Sequence, residues 1–200
     1  MIVTFDGVDG AGKTTIVEAL AHKLKEQGHK VLTHHFPTYE NVPRGNTPRD
    51  RANNYLSDMD YTFIKKFNPF LEENKDGIVL IDRYKWTTFA YNLWEPFKDD
   101  EDVLNEWIKF IKESVPAADV EFFVSVEYET CKDRKNEMTP EHFDSVTDAY
   151  ISAKINHGAF EFVLDGELPK DKTVSLAEAV IKSVMLRKDK GDLTQKTVTT

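Results

Sequence analysis

The chain has 200 residues, 40% hydrophobic and 30% charged, with a formal net charge of −9 and one cysteine, Cys131. That length and mix fit one domain with a real core, about 70% of the unfolded surface being buried at this size. The acidic balance speaks against nucleic acid as the main partner. The lone cysteine excludes a disulfide framework and fits a cytoplasmic location. No apolar run reaches the ~20 residues of a membrane span, and no basic leader opens the chain.

MIVTFD, residues 1–6, predicts a buried strand. GVDGAGKTT follows at 7–15, and KTTIVEALAHKLKEQ, 13–27, predicts a helix with Ile16, Leu20 and Leu24 at every fourth place, ended by Gly28. Gly7, Gly12, Lys13 and Thr14 match G-x-x-x-x-G-K-[ST]. Glycines let the backbone curl so that amide N–H groups point at phosphates, and the helix adds its positive end. Gly7, Asp9, Gly10, Ala11, Gly12, Lys13, Thr14 and Thr15 are thus the expected ATP cradle. Lys13 is expected to reach the β- and γ-phosphates and the Thr14 hydroxyl to hold Mg²⁺. NKDG at 74–77 has the wrong spacing for a guanine-reading motif and precedes a strand, which sets a GTPase aside.

KVLTHHF, 30–36, predicts a second strand, and 37–52, with three prolines and three arginines, a basic loop. Residues 53–73 predict a helix kinked or bounded at Pro69, and GIVLIDR, 77–83, a central parallel strand. A helix is expected from Lys85 to just before Pro96, another over 101–115, and a strand over 120–126. Residues 128–157 predict a helix interrupted at Thr139–Pro140; a strand over 160–165, a helix over 175–188 and a polar tail complete the chain. The alternation demands crossovers: an α/β fold with a five-stranded parallel sheet, helices on both faces and a short lid near 132–141.

DRYKWTTFAYN, 82–92, falls at the carboxyl end of the central strand, where open α/β sheets place ligands. A carboxylate there can hold metal-bound waters, and an arginine can clamp two phosphates. Thr87, Thr88, Tyr91 and Asn92 follow at helical spacing toward one pocket.

GVDGAGKTT followed by DRY-x-x-[ST]-x-x-A-[YF] resembles the thymidylate kinase family, as do Phe36–Pro37, VPAAD, EHFD and VLDG, over most of the chain. The resemblance implies transfer of a phosphoryl group from Mg²⁺·ATP to a deoxynucleoside monophosphate, dTMP first, in a single P-loop kinase domain over 1–188. It implies a homodimer, with small molecules as substrates and no membrane partner. By position it gives Asp9 the sugar 3′-hydroxyl, and Lys13 and Thr14 the phosphate and metal. Asp82 and Arg83 take the transferring phosphoryl, Tyr91 the deoxyribose, and Thr87 and Asn92 the base. Phe36 and Pro37 border the acceptor. Gly10 stands where one variety of the family keeps an arginine, so the lid is expected to supply cations from Lys132, Arg134 and Lys135, Arg134 foremost. Two departures stand out. Tyr39 occupies the place of the acceptor-phosphate arginine, leaving Arg44, Arg49 or Arg51 to replace it. Ser57 and Tyr61 fall where a stacking phenylalanine and a base-reading arginine are usual, with Phe63 or Tyr61 as substitute ring. The rival readings are a kinase of another nucleoside monophosphate, a deoxynucleoside kinase, for which an E-R-S motif is expected in place of DRY, and an ATP-binding switch without transfer.

Trp94, Phe97 and Trp107 are expected in the core or on a dimer face, His34 and His35 at a strand end, and Cys131 half-buried without a role. Asp6 is expected in a metal-supporting or a structural role.

Overall fold

The computed structural model describes residues 1–38 and 43–189. Tyr39 and the tail from 190 lie outside them. The five strands are β1 (Ile2–Asp6), β2 (Val31–His35), β3 (Ile78–Asp82), β4 (Val120–Ser125) and β5 (Phe162–Asp165). All pair parallel in the order β2-β3-β1-β4-β5. Parallel strands need long crossovers, and the helices supply them. They are α1 (Lys13–Glu26), α2 (Pro48–Thr62), α3 (Asn68–Glu73), α4 (Lys85–Thr88), α5 (Trp94–Phe97), α6 (Glu101–Ser114), α7 (Tyr128–Arg134), α8 (Pro140–His157) and α9 (Lys170–Asp189). Every residue of β3 is buried, as its unbroken apolar run requires.

The chain leaves β1 to one side, toward β2 and β3, and later adds β4 on the other side of β1. Above the carboxyl ends of β1 and β3 the connections diverge, and a crevice opens there. Parallel register sets Phe5 beside Asp82 and His35 beside Asp82, bringing the ends of three strands to one place.

Two expectations about helices change. The basic loop is shorter than 37–52 because α2 begins at Pro48. Thr47 accepts from Asp50 N at 3.1 Å while the Asp50 carboxylate accepts from Thr47 N, a capping box followed by proline at the first helical position. Pro69 stands in the first turn of α3, the break expected there, whereas Pro96 lies inside α5 and does not end its helix. A π turn over Phe63–Phe67 precedes Pro69, and another over Phe89–Leu93 precedes Pro96. A wider turn relieves the clash of each proline ring with the carbonyl four residues back.

Asp6 is the polar anchor under the crevice. It is fully buried, and its Oδ1 accepts from Tyr84 N (2.9 Å), Thr87 N (3.1 Å) and Thr87 Oγ1 (2.6 Å), which caps α4. Burial raises its carboxyl to about 6 against the pull of those hydrogen bonds. A raised carboxyl keeps its proton in the fold between about 4 and 6 while the unfolded chain loses it, so this group's contribution to stability falls as pH rises through that window. Asp6→Asn is therefore expected to gain about 2 kcal/mol relative to wild type between pH 4.5 and 7. Urea unfolding at the two pH values checks this; an unchanged difference would mean that Asp6 carries charge throughout.

Candidate active site

The loop between β1 and α1 is shaped by what it touches. Gly7 has φ 150°, and a Cβ there would meet the Val124 carbonyl oxygen at 2.5 Å, so the loop lies directly on β4. Gly10 has φ 85°, and its Cβ would stand 2.9 Å from the Cys131 carbonyl oxygen. Cys131, buried in α7, donates its thiol to the Asp9 carbonyl at 2.6 Å. The lid helix is thereby tied to the loop, a role for Cys131 that no sequence pattern signals.

Lys13 is 4% exposed and donates to the carbonyls of Gly7 (3.0 Å) and Val8 (2.8 Å). Burial first, and Arg83 second, lower its ammonium to about 8 although Asp82, Asp9 and Asp6 oppose. Thr14 donates its hydroxyl proton to Asp82 Oδ2. Asp82 is 1% exposed, and burial disfavours its charge. Hydrogen bonds from His35 and Thr14, with Lys13 nearby, outweigh that and hold its carboxyl below the ordinary range.

Those groups define a cavity of about 390 Å³ lined by Asp9, Gly10, Gly12, Lys13, Thr14, Thr15, His35, Arg83, Arg134 and Lys135. Ala11, at 1% exposure, supports the loop from below instead. Of the lid cations, Arg134 donates to the Gly166 carbonyl at 2.9 Å and reaches over Gly12, and Lys135 follows it. Lys132 faces away, toward Glu129 and the Tyr128 ring. Only 135–139 of the expected lid lies outside α7 and α8.

A second cavity, about 430 Å³, is lined by Asp9, Arg44, Gly45, Arg51, Tyr55, Arg83, Tyr91 and Asn92. Asp9 and Arg83 belong to both and form the wall between them. Asp9 is held on three sides. Its N–H is donated to the Tyr91 hydroxyl at 3.0 Å, its carbonyl takes the Cys131 thiol, and its carboxylate pairs with Arg83. Arg83 has a left-handed backbone, φ 66°, a conformation costing of order 1–3 kcal/mol for a non-glycine residue. Its guanidinium lies 5.7 Å from the Tyr91 ring centre, and its buried Nε has no partner among the described residues. Arg51 Nε donates to Asn92 Oδ1 at 3.2 Å.

Several expected residues are elsewhere. Ser57 and Tyr61 are exposed on the far side of α2, in a surface groove with Phe110 and Ser114. The ring presented to the cavity is Tyr55, one turn from Arg51, two places before the position counted back from Asp82. Phe63 is in the core against Phe67 and Tyr84, and Arg49 lies over Phe97. Phe36 is fully buried between His34, Phe67 and Tyr84, and its peptide to Pro37 is cis; neither residue lines the cavity. Thr87 serves Asp6 and Tyr150, and Thr88 is fully buried. A π turn holds more residues than an α turn, so the i, i+4 phase linking Thr87 to Tyr91 and Thr88 to Asn92 does not carry across it. Tyr55 and His35 line the two cavities although sequence patterns alone passed them over. The capping box at Thr47 could have found Tyr55, because it fixes the phase of α2.

Magnesium needs few protein ligands when phosphates and waters complete its shell. Thr14 fits it: with its proton committed to Asp82, only the lone pairs of the hydroxyl remain to offer. Asp82 keeps a buried oxygen, Oδ1, with no partner among the described residues, and there is no cluster of three or more metal-ligating side chains among them.

A phosphate loop, a cation-lined second cavity and a shared acid–arginine wall define a P-loop phosphotransferase. A family model described as thymidylate kinase matches residues 5–165. The chain belongs to the thymidylate kinase family. It is 27% identical to a probable thymidylate kinase of Thermoplasma acidophilum over 190 residues, 88% of this chain and 92% of the relative. With the probable thymidylate kinase of Thermoplasma volcanium it shares 27% over 197 residues, 92% and 98%. A crystal structure of thymidylate kinase from Ehrlichia chaffeensis superposes with a TM-score of 0.68 at 18% identity, over 90% of this chain and 98% of that one, which speaks for the fold.

Proposed function

We propose that the protein transfers the γ-phosphoryl group of ATP to dTMP, giving dTDP. The observation that carries this is the wall formed by Asp9 and Arg83 between two cavities. A switch that only binds ATP has no use for a second cationic pocket one residue away from the first. The acceptor phosphate attacks directly, so no protein nucleophile is required. Magnesium, held at Thr14 with Asp82 behind it, would neutralise charge on the donor phosphates. Lys13 follows the transferring group, and Arg83, already at the border, offers its Nε and fork to both phosphates. Arg134 and Lys135 close over the donor side. Arg44 and Arg51 replace the missing acceptor arginine, Tyr55 supplies the ring for the base, and Tyr91 crowds the sugar at C2′, favouring deoxyribose. A coupled ADP-release assay over deoxy- and ribonucleoside monophosphates tests the reading. Turnover on dTMP no faster than on dAMP or dGMP would overturn it.

The ring assignment has its own test. Tyr55→Ala is expected to raise the KM for dTMP at least tenfold, since stacking on a base contributes about 1–3 kcal/mol. Tyr61→Ala should leave it within twofold. The reverse pattern would restore the Tyr61 assignment.

The free, buried thiol of Cys131 supports a cytoplasmic place for this reaction. We also propose a homodimer through α2 and α6. Ile64, Phe110 and Tyr61 protrude there at 54%, 46% and 43% exposure, beside grooves lined by Leu56, Trp107 and Phe110. Knobs and grooves on one face are what a two-fold interface needs. Phe110→Glu is expected to shift sedimentation from dimer to monomer at micromolar concentration; an unchanged mass would place the contact elsewhere.

A further inference from the structure

His35 ends β2, beside Asp82 in the register of the sheet, although 47 residues separate them in sequence. Its Nδ1 lies 2.9 Å from Asp82 Oδ2, the same oxygen that accepts the Thr14 hydroxyl. Asp82 Oδ2 already accepts the Thr14 hydroxyl, so Nδ1, meeting the same oxygen, is the donor and carries the hydrogen. In a neutral ring this leaves the Nε2 lone pair free, and the ring, half-exposed, stands on the wall of the phosphate cavity. Two donors converging on one oxygen fix the carboxylate about its last torsion. The Thr14 hydroxyl is fixed in turn, because its proton has a single acceptor.

We propose that His35 is a positioning residue for the magnesium-loaded donor: through Asp82 it orients the Thr14 hydroxyl, and through Nε2 it accepts a hydrogen bond from a water of the hydrated ion. This rests on the reading of the phosphate loop as the Mg²⁺·ATP site and extends it to a residue whose place in the sequence, at the tip of a strand, suggests no such role. Groups that hold a metal-supporting carboxylate in place typically affect metal affinity 10- to 100-fold. On that reading Lys13, Arg83 and Arg134 would meet phosphate without the metal, so His35 should matter chiefly when magnesium is present.

The test is ADP binding by titration calorimetry with 5-fold excess Mg²⁺ and again in EDTA, with no acceptor present. Mn²⁺ bound with ADP is followed by electron paramagnetic resonance as a readout independent of turnover. His35→Ala is expected to weaken ADP binding with Mg²⁺ at least tenfold, and at least fivefold more than in EDTA. His35→Asn, whose amide can occupy the Nδ1 position, should recover most of the loss that passes through Asp82 and show a changed Mn²⁺ spectrum. Equal losses with and without metal would make His35 a support of the loop alone and overturn the proposal. An alanine variant indistinguishable from wild type would overturn it too, as would an asparagine variant no better than alanine. Because no monophosphate enters the experiment, failure of dTMP as substrate would strike the proposed function and leave this result standing.

Discussion

Lys13→Ala is expected to lower kcat at least 100-fold, about 2.7 kcal/mol of transition-state stabilisation, with the fold intact. The lysine is buried and held by the Gly7 and Val8 carbonyls. Deleting it removes a dehydrated cation, which offsets the loss of those two bonds. Circular dichroism should therefore show native secondary structure and a modest change in Tm. Its ammonium, lowered to about 8 by burial first and by Arg83 second, has a further consequence. Arriving phosphates favour the charged form and raise it, so binding takes up a proton and nucleotide affinity falls as pH rises through about 8. Lys13→Arg, charged throughout, should flatten that fall. Retention of more than a tenth of wild-type kcat in Lys13→Ala would sink the phosphoryl role.

Arg83→Lys is expected to lower kcat at least 30-fold, about 2 kcal/mol, while the KM for the acceptor changes less than threefold. Charge is preserved in this variant. What goes is the planar fork that can address two phosphates at once, together with the Nε donor that has no partner among the described residues. The arginine is also fixed in place between the two cavities. Its φ is 66°, its guanidinium pairs with Asp9, and the Tyr91 ring lies beneath. Steady-state kinetics on both substrates decide the point. A defect confined to the KM for ATP would assign Arg83 to donor binding alone.

The proposed donor side was legible because it is local. Gly7, Gly10, Lys13 and Thr14 lie in a loop of a few residues between one strand and one helix, so spacing alone carries the geometry. Asp82 and Arg83 were legible for the same reason, standing at the end of an unbroken apolar strand. The acceptor side was not. Reading side-chain directions from spacing requires that a helical stretch keep one phase. A π turn over Phe89–Leu93 breaks that phase, and Thr87 and Thr88 are buried while Tyr91 and Asn92 line the cavity. Counting back from Asp82 with one inserted residue leads to Ser57 and Tyr61, which stand on the exposed side of α2, while Tyr55, two places earlier, lines the cavity.

By itself, then, the sequence determined the alternation of strands and helices, the parallel sheet and the phosphate loop. Each follows from hydrophobic period, glycine placement and a helix start within a short window. Only the tertiary structure decided which side chains meet. His35 reaches Asp82 through strand register, Cys131 reaches Asp9 because α7 packs on the loop, and Asp9 and Arg83 form a wall because β1 and β3 are neighbours in space and not in order. Contacts of that kind depend on how crossovers stack the strands, and no local pattern of residues encodes the neighbour that a crossover will bring.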